Sequence, residues 1–173
     1  MHLLKLLPLV CILALSLSAE ARKKKVPTVT KMSGVVERCH DGDTCHVMVS
    51  GKRIKVRFAG IDTPEIKQKD GIRAKNFTES LIKGKAVDLE CDGTSFDRVT
   101  CTVYQAGLNI NAEIVRKGWA FDSKRYSKGK YASSEQEARS GKLGIWKDDQ
   151  LSSPFCFRSP KVKQCLKDKS YMP

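Results

Sequence analysis

Three close-set pairs of cysteines place the tightest limit on how this chain can fold: Cys39 with Cys45, Cys91 with Cys101, and Cys156 with Cys165. The first pair is centred on Gly42, the second flanks a stretch around Phe96, and the third flanks Pro160. Residues opposite one another across a hairpin have closely spaced Cβ atoms, which is the separation a disulfide requires. Among the pairings open to six cysteines, these three local bridges are therefore expected. Each closes a short loop, so each falls toward the low end of the usual stabilisation of about 2–4 kcal/mol.

Disulfides require an oxidising compartment, and the first residues supply the route to one. Residues 1–5 make a short basic start, residues 6–17 are almost uninterruptedly apolar, and Ala19-Glu20-Ala21 provides small residues for cleavage. That is the pattern of a signal peptide over residues 1–21. The apolar run is too short to span a bilayer comfortably, and Arg22-Lys23-Lys24-Lys25 follows at once. An uncleaved anchor is the second reading of this segment. The seventh cysteine, Cys11, leaves with the leader. The expected location is periplasmic, envelope-associated or extracellular, with no membrane attachment once the leader is removed. About 150 residues then remain, a size suited to one domain with a real core.

The net charge of +13 survives processing, because the leader carries one Lys (Lys5) and one acid (Glu20). Such an excess favours a polyanion as partner: nucleic acid, an anionic membrane or an envelope polymer. No amphipathic basic helix is evident, so nucleic acid leads.

Residues 22–34 form a basic arm without periodicity. Residues 35–39 and 44–49 read as strands joined by His40-Asp41-Gly42-Asp43, in which Asp-Gly is a strong turn signal. Ser50-Gly51 makes a second turn. Along residues 52–58, Ile54, Val56 and Phe58 alternate with Arg53, Lys55 and Arg57, predicting a half-buried strand with a cationic outer face. Ala74, Phe77, Thr78, Leu81 and Ile82 recur at helical spacing. Strands over 86–91 and 98–104 follow, then helices over about 109–117 and 132–140. Three strands, a helix, two strands and two helices match an α+β chain, mainly β, built on a five-stranded Greek-key barrel of the OB type. The domain is expected over residues 35–147, and residues 148–173 form a basic tail tied by Cys156 and Cys165.

Two acidic clusters carry the chemistry: Asp41-Gly42-Asp43-Thr44 in the first turn and Asp62-Thr63-Pro64-Glu65 after the third strand. Either alone is ordinary turn composition. In a meander, however, the turn after the first strand and the end of the third lie at the same end of the sheet. Asp43, Asp62 and Glu65 can then converge, and carboxylates so placed repel unless a cation sits among them. An all-oxygen site suits calcium or magnesium rather than zinc. Arg57 points toward the same region. A cation, a guanidinium and a spare carboxylate are the parts that hold a phosphodiester and deprotonate water against it.

Asp41-Gly42-Asp43-Thr44, the string RFAGIDTPE over residues 57–65 and INAEIVRKGWA over residues 110–120 resemble the staphylococcal nuclease family. The likeness runs over about residues 34–147, with Gly144-Ile145-Trp146 at the end of the last helix. It implies a nuclease that requires Ca2+ and cleaves the P–O5′ bond of DNA or RNA, leaving 3′-phosphate and 5′-hydroxyl ends. By the same resemblance Asp43 and Asp62 are calcium-ligating carboxylates, and Thr63 offers a main-chain carbonyl. Arg57 and Arg98 grip the scissile phosphate, and Glu65 is the general base. Tyr126 supplies a wall of the base pocket, while Lys124 stands where a second tyrosine is expected. The turn Phe96-Asp97-Arg98 lacks the family's Tyr-Gly before the arginine, and the three cysteine bridges are not part of the namesake's pattern. A monomer without a stable protein partner is expected.

Two alternatives stay open at this point. A non-catalytic OB module would bind nucleic acid without cutting it, but has no need of the combination Asp43, Arg57, Asp62 and Glu65. A zinc site at Cys39-His40 and Cys45-His46 is disfavoured because neighbouring strand residues point to opposite faces.

Overall fold

The computed structural model describes residues 29–148, 151–162 and 165. The expected signal peptide, most of the basic arm and the end of the tail lie outside the described residues.

Alternation of apolar and polar side chains builds the barrel. Strands β1 (Thr30–Cys39), β2 (Thr44–Val49) and β3 (Lys52–Phe58) form an antiparallel meander. Val56 and Phe58 are fully buried and Ile54 packs on the same core, as the alternation along β3 requires. A two-residue strand β4 (Ile61–Asp62) and helix α1 (Gly71–Ile82) follow. Then β5 (Ala86–Ser95) and β6 (Arg98–Gln105) make a second hairpin. β1 pairs with β5 along its first half and with β2 along its second. Parallel pairing of β3 with β6 closes the ring in the order β3-β2-β1-β5-β6. This is the five-stranded OB barrel, in an α+β chain.

β1 begins earlier than expected. Residues 31–33, assigned to the basic arm by composition, pair with residues 88–90 of β5. The polar residues Lys31 and Ser33 face outward there, and Met32 packs on the core, but so short an alternation among lysines is hard to see in the sequence. Gly34 follows because a Cβ at this position would fall 2.5 Å from the Met48 carbonyl oxygen.

The short strand β7 (Leu108–Asn109) leads into α2 (Ile110–Arg116), where Asn109 caps the helix by accepting from the Ala112 amide. Next come β8 (Phe121–Asp122), which pairs with β4, then α3 (Lys124–Ser127) and α4 (Ala132–Ser140). α5 (Pro154–Arg158) ends the described helices. Helices α1, α2 and α4 are the three expected from periodicity. α3 and α5 are single turns, too short for a 3.6-residue repeat to register. Within the described residues no helix is long and apolar enough to cross a membrane.

Asn111 joins α2 to the barrel. It is fully buried, donates to the carbonyls of Ala59 (2.9 Å) and Cys101 (3.4 Å), and accepts from the Val103 amide (3.0 Å). Ala59 follows β3 directly, so this residue anchors the backbone that leads into the second acidic cluster.

The structure joins Cys39 to Cys45, Cys91 to Cys101, and Cys156 to Cys165. The first two pairs are directly opposed across their hairpins, with Cα atoms 3.8 and 3.9 Å apart.

Two outcomes follow from this packing. Asn111→Leu strands the Val103 amide and the Ala59 carbonyl, and should cost about 2–4 kcal/mol in urea unfolding. Intact mass before and after alkylation of the leaderless protein should reveal no reactive thiol; label at Cys39 or Cys45 would contradict the pairing.

Candidate active site

The β1–β2 turn is drawn inward by α1. Thr78 donates its hydroxyl to the Gly42 carbonyl at 2.6 Å, and Glu79 accepts from the Cys39 amide at 2.9 Å. Within the turn the Asp43 amide donates to Asp41 Oδ1 at 3.0 Å, a local bond typical of aspartate. Gly42 then lies flat against Thr63, where a Cβ would come within 2.8 Å of the threonine side chain. The close approach lets the Thr63 amide donate to Asp43 Oδ2 at 2.9 Å. Two acidic segments separated by β2 and β3 are thereby fastened together.

Arg57 lies between them. Its register partner on β2 is Thr44, next to Asp43. Nη1 is 2.8 Å from Asp43 Oδ2 and Nη2 is 3.2 Å from Asp62 Oδ1. The same nitrogens donate to the carbonyls of Phe58 (3.1 Å) and Ile61 (3.0 Å), which fixes the plane of the guanidinium. Glu65 is held by a tight loop. Its amide donates to Gln68 Oε1 at 3.2 Å, and its carbonyl accepts from the Gln68 amide at 2.8 Å. Gly71 makes the loop possible, since a Cβ there would sit 1.8 Å from the Glu65 carbonyl oxygen.

Arg98 opens β6 and lines the same cleft, where it bonds Ser95 (main-chain O and Oγ, both 3.3 Å) rather than a carboxylate. Tyr126 on α3 stands at the rim, 72% exposed, with Arg125 over its ring at 5.7 Å. Asp43, Arg57, Asp62, Thr63, Glu65, Arg98 and Tyr126 all line one cleft of about 680 Å³.

One lining residue had no counterpart in the sequence reading. Arg158, on α5, donates from Nη1 to Asp62 Oδ1 (3.1 Å) and Glu65 Oε1 (2.6 Å), and from Nη2 to Asp62 Oδ2 (2.9 Å). The basic tail therefore does not hang from the domain; its described part docks on the cleft. The sequence signal was Ser153-Pro154, a helix cap followed by proline at the first helical position, just ahead of the third cysteine pair.

The cleft gathers more negative charge than its burial favours. Burial pushes the Asp41 carboxyl up to about 7, reinforced by the neighbouring charge of Asp43. Burial also raises Asp62; hydrogen bonds from Arg158 oppose the rise, and Asp43 adds to it. Carboxylates in this condition gain from a cation among them. The candidate donors are all oxygen: Asp41, Asp43 and Asp62, with the main-chain carbonyl of Thr63. Oxygen donors are the chemistry a hard divalent ion takes, although among the described residues no three acidic, His or Cys side chains already stand as a metal-binding group.

Comparison with known proteins agrees with the geometry. The staphylococcal nuclease homologue family matches residues 55–148. An uncharacterized endonuclease of Haemophilus influenzae is 35% identical over 145 residues, covering 82% of this chain and 78% of that protein. A micrococcal nuclease of Shigella flexneri is 35% identical over 146 residues, covering 77% of this chain and 84% of its own length. An uncharacterized endonuclease of Escherichia coli is 35% identical over 131 residues, 74% of this chain and 86% of that one. The family match covers more than half of the sequence and includes Arg57, Asp62, Thr63, Glu65, Arg98 and Tyr126. The chain belongs to the staphylococcal nuclease family and is a nuclease.

Proposed function

We propose that this nuclease is exported and calcium-dependent, and that it cuts DNA, RNA or both internally, leaving 3′-phosphate and 5′-hydroxyl ends. The observation that carries the reading is the shared cleft: residues from the β1–β2 turn, β3, the β4 loop, β6 and α3 line one cavity. The three disulfides support an oxidising destination.

Asp43, Asp62 and the Thr63 carbonyl would hold the ion, with Asp41 close behind. When bound, calcium supplies charge stabilisation for the phosphoryl oxygens and a template for the attacking water. The chain's own groups do the rest. Arg57, fixed in plane by two carbonyls, passes to the non-bridging oxygens of the scissile phosphate the donors it now gives Asp43 and Asp62, once those carboxylates turn to the ion. Arg98 reaches the same phosphate from β6. Glu65 takes a proton from water as its oxygen attacks phosphorus, the bond to O5′ breaks, and the departing O5′ takes a proton from solvent to become the 5′-hydroxyl. Tyr126 offers a ring at the rim for base stacking, an interaction worth about 1–3 kcal/mol per base and tolerant of sequence. A net charge of +13 draws polyanions toward the cleft, so cleavage should weaken with salt.

Plasmid DNA, RNA or both, incubated with leaderless protein, should be degraded in calcium and left intact in EDTA. Glu65→Gln should lower kcat by about 10²–10⁴ while nucleic-acid binding persists. Binding without cleavage in calcium by the unaltered protein would make it a binding module instead.

The raised Asp41 gives a stability prediction with a definite sign. Its folded value lies near 7 against an ordinary 3.8, so the folded state holds this proton more tightly than the unfolded chain does. Asp41 therefore costs metal-free stability progressively as pH rises between those values. In EDTA, Asp41→Asn should raise the melting temperature above pH 7, and the advantage should vanish below about pH 4.

A further inference from the structure

Arg158 is placed where a cation is wanted. Its two terminal nitrogens fork onto both carboxylate oxygens of Asp62, and one of them also reaches Glu65. Asp62 Oδ1 is shared with Arg57, whereas Oδ2 faces Arg158 at 2.9 Å. A divalent ion binds carboxylate oxygen at about 2.3–2.6 Å. It would crowd the guanidinium on those same oxygens and would sit beside a like charge.

The side chain is delivered by a built tether. Ser153 caps α5 by accepting from the Cys156 amide at 3.2 Å. Cys156 is buried and bonded to Cys165, so Arg158 lies inside the loop that this disulfide closes. Gln68, in the loop that shapes Glu65, donates to the Ser152 carbonyl, and Lys69 pairs with Asp148 at 2.6 Å. Both ends of the approach to α5 are thus attached to the body of the domain. A group tied so close competes as though present at high concentration.

We propose that Arg158 is an internal counter-cation that competes with the divalent ion for Asp62 and keeps Glu65 paired until the ion displaces it. The proposal rests on the reading of Asp62 as a cation ligand. Linkage makes the competition reciprocal: whatever favours Arg158 in the cleft weakens cation binding by the same factor, and the ion drives Arg158 out. With Arg158 docked, Glu65 Oε1 holds a charge-assisted hydrogen bond, and the adjacent guanidinium charge makes the carboxylate a weaker base toward water. The tail therefore sets the calcium concentration at which the site assembles.

Calorimetric titration of calcium into EDTA-stripped, leaderless protein tests this without any turnover. Arg158→Gln should bind calcium about tenfold more tightly than the unaltered protein, Arg158→Lys should fall between the two, and Asp62→Asn should abolish binding. Equal or weaker affinity in Arg158→Gln, with binding still lost in Asp62→Asn, overturns the competition and leaves the cation reading standing. Absence of calcium binding in all four proteins, or binding indifferent to Asp62→Asn, overturns both.

Discussion

The hydrogen bond from the Thr63 amide to the Asp43 carboxylate is the contact on which the cleft depends. It ties a hairpin turn to a loop reached two strands later, and it forms because Gly42 presents no side chain to Thr63. Arg57 lies across the junction and bonds both aspartates and two carbonyls. A turn that would otherwise project into solvent is thus folded against the barrel. Asp43 and Asp62 are consequently buried and Asp41 half-buried, more than isolated carboxylates tolerate, and the arginines around them are the structure's answer to that crowding.

The barrel does the positioning at low cost in specialised residues. α1 supplies Thr78 and Glu79 to hold the β1–β2 hairpin, and α2 supplies Asn111 to hold the backbone after β3. Neither helix places a side chain among the expected ligands. Their work is to fix two backbone segments from behind, so that groups at the front need only short, stiff connections. β6 and α3 bring Arg98 and Tyr126 to the same cleft.

Much of this was legible in the sequence, for identifiable reasons. The run Arg53 to Phe58 alternates without error, and the Asp-Gly turn and paired cysteines fix the first hairpin. Helices α1, α2 and α4 show their period. The residue types of the cleft were legible too, because acids cluster in the first turn of a meander and after its third strand, which end on the same side of the sheet. Three things were not. The first residues of β1 look like part of a basic arm, since β-pairing with residues 88–90 leaves no mark in composition. Asp41 reads as a turn residue until its burial is known. Arg158 acts on Glu65 from 93 positions away, through a one-turn helix whose docking depends on a covalent loop, and no local pattern announces that.

Closure of the ring by β3 and β6 has a consequence for how the enzyme comes into being. Arg57 stands directly opposite Thr100 in this parallel seam, and Arg98 begins the strand that Thr100 belongs to. The two guanidinium groups face one cavity only when chain segments about forty residues apart have met, a step whose entropy is spent before its contacts form. A chain emerging in order carries its acids early and its second arginine late. Hydrolytic power is therefore a property of the finished barrel, and a threaded or half-assembled polypeptide presents only scattered charges to any nucleic acid it passes.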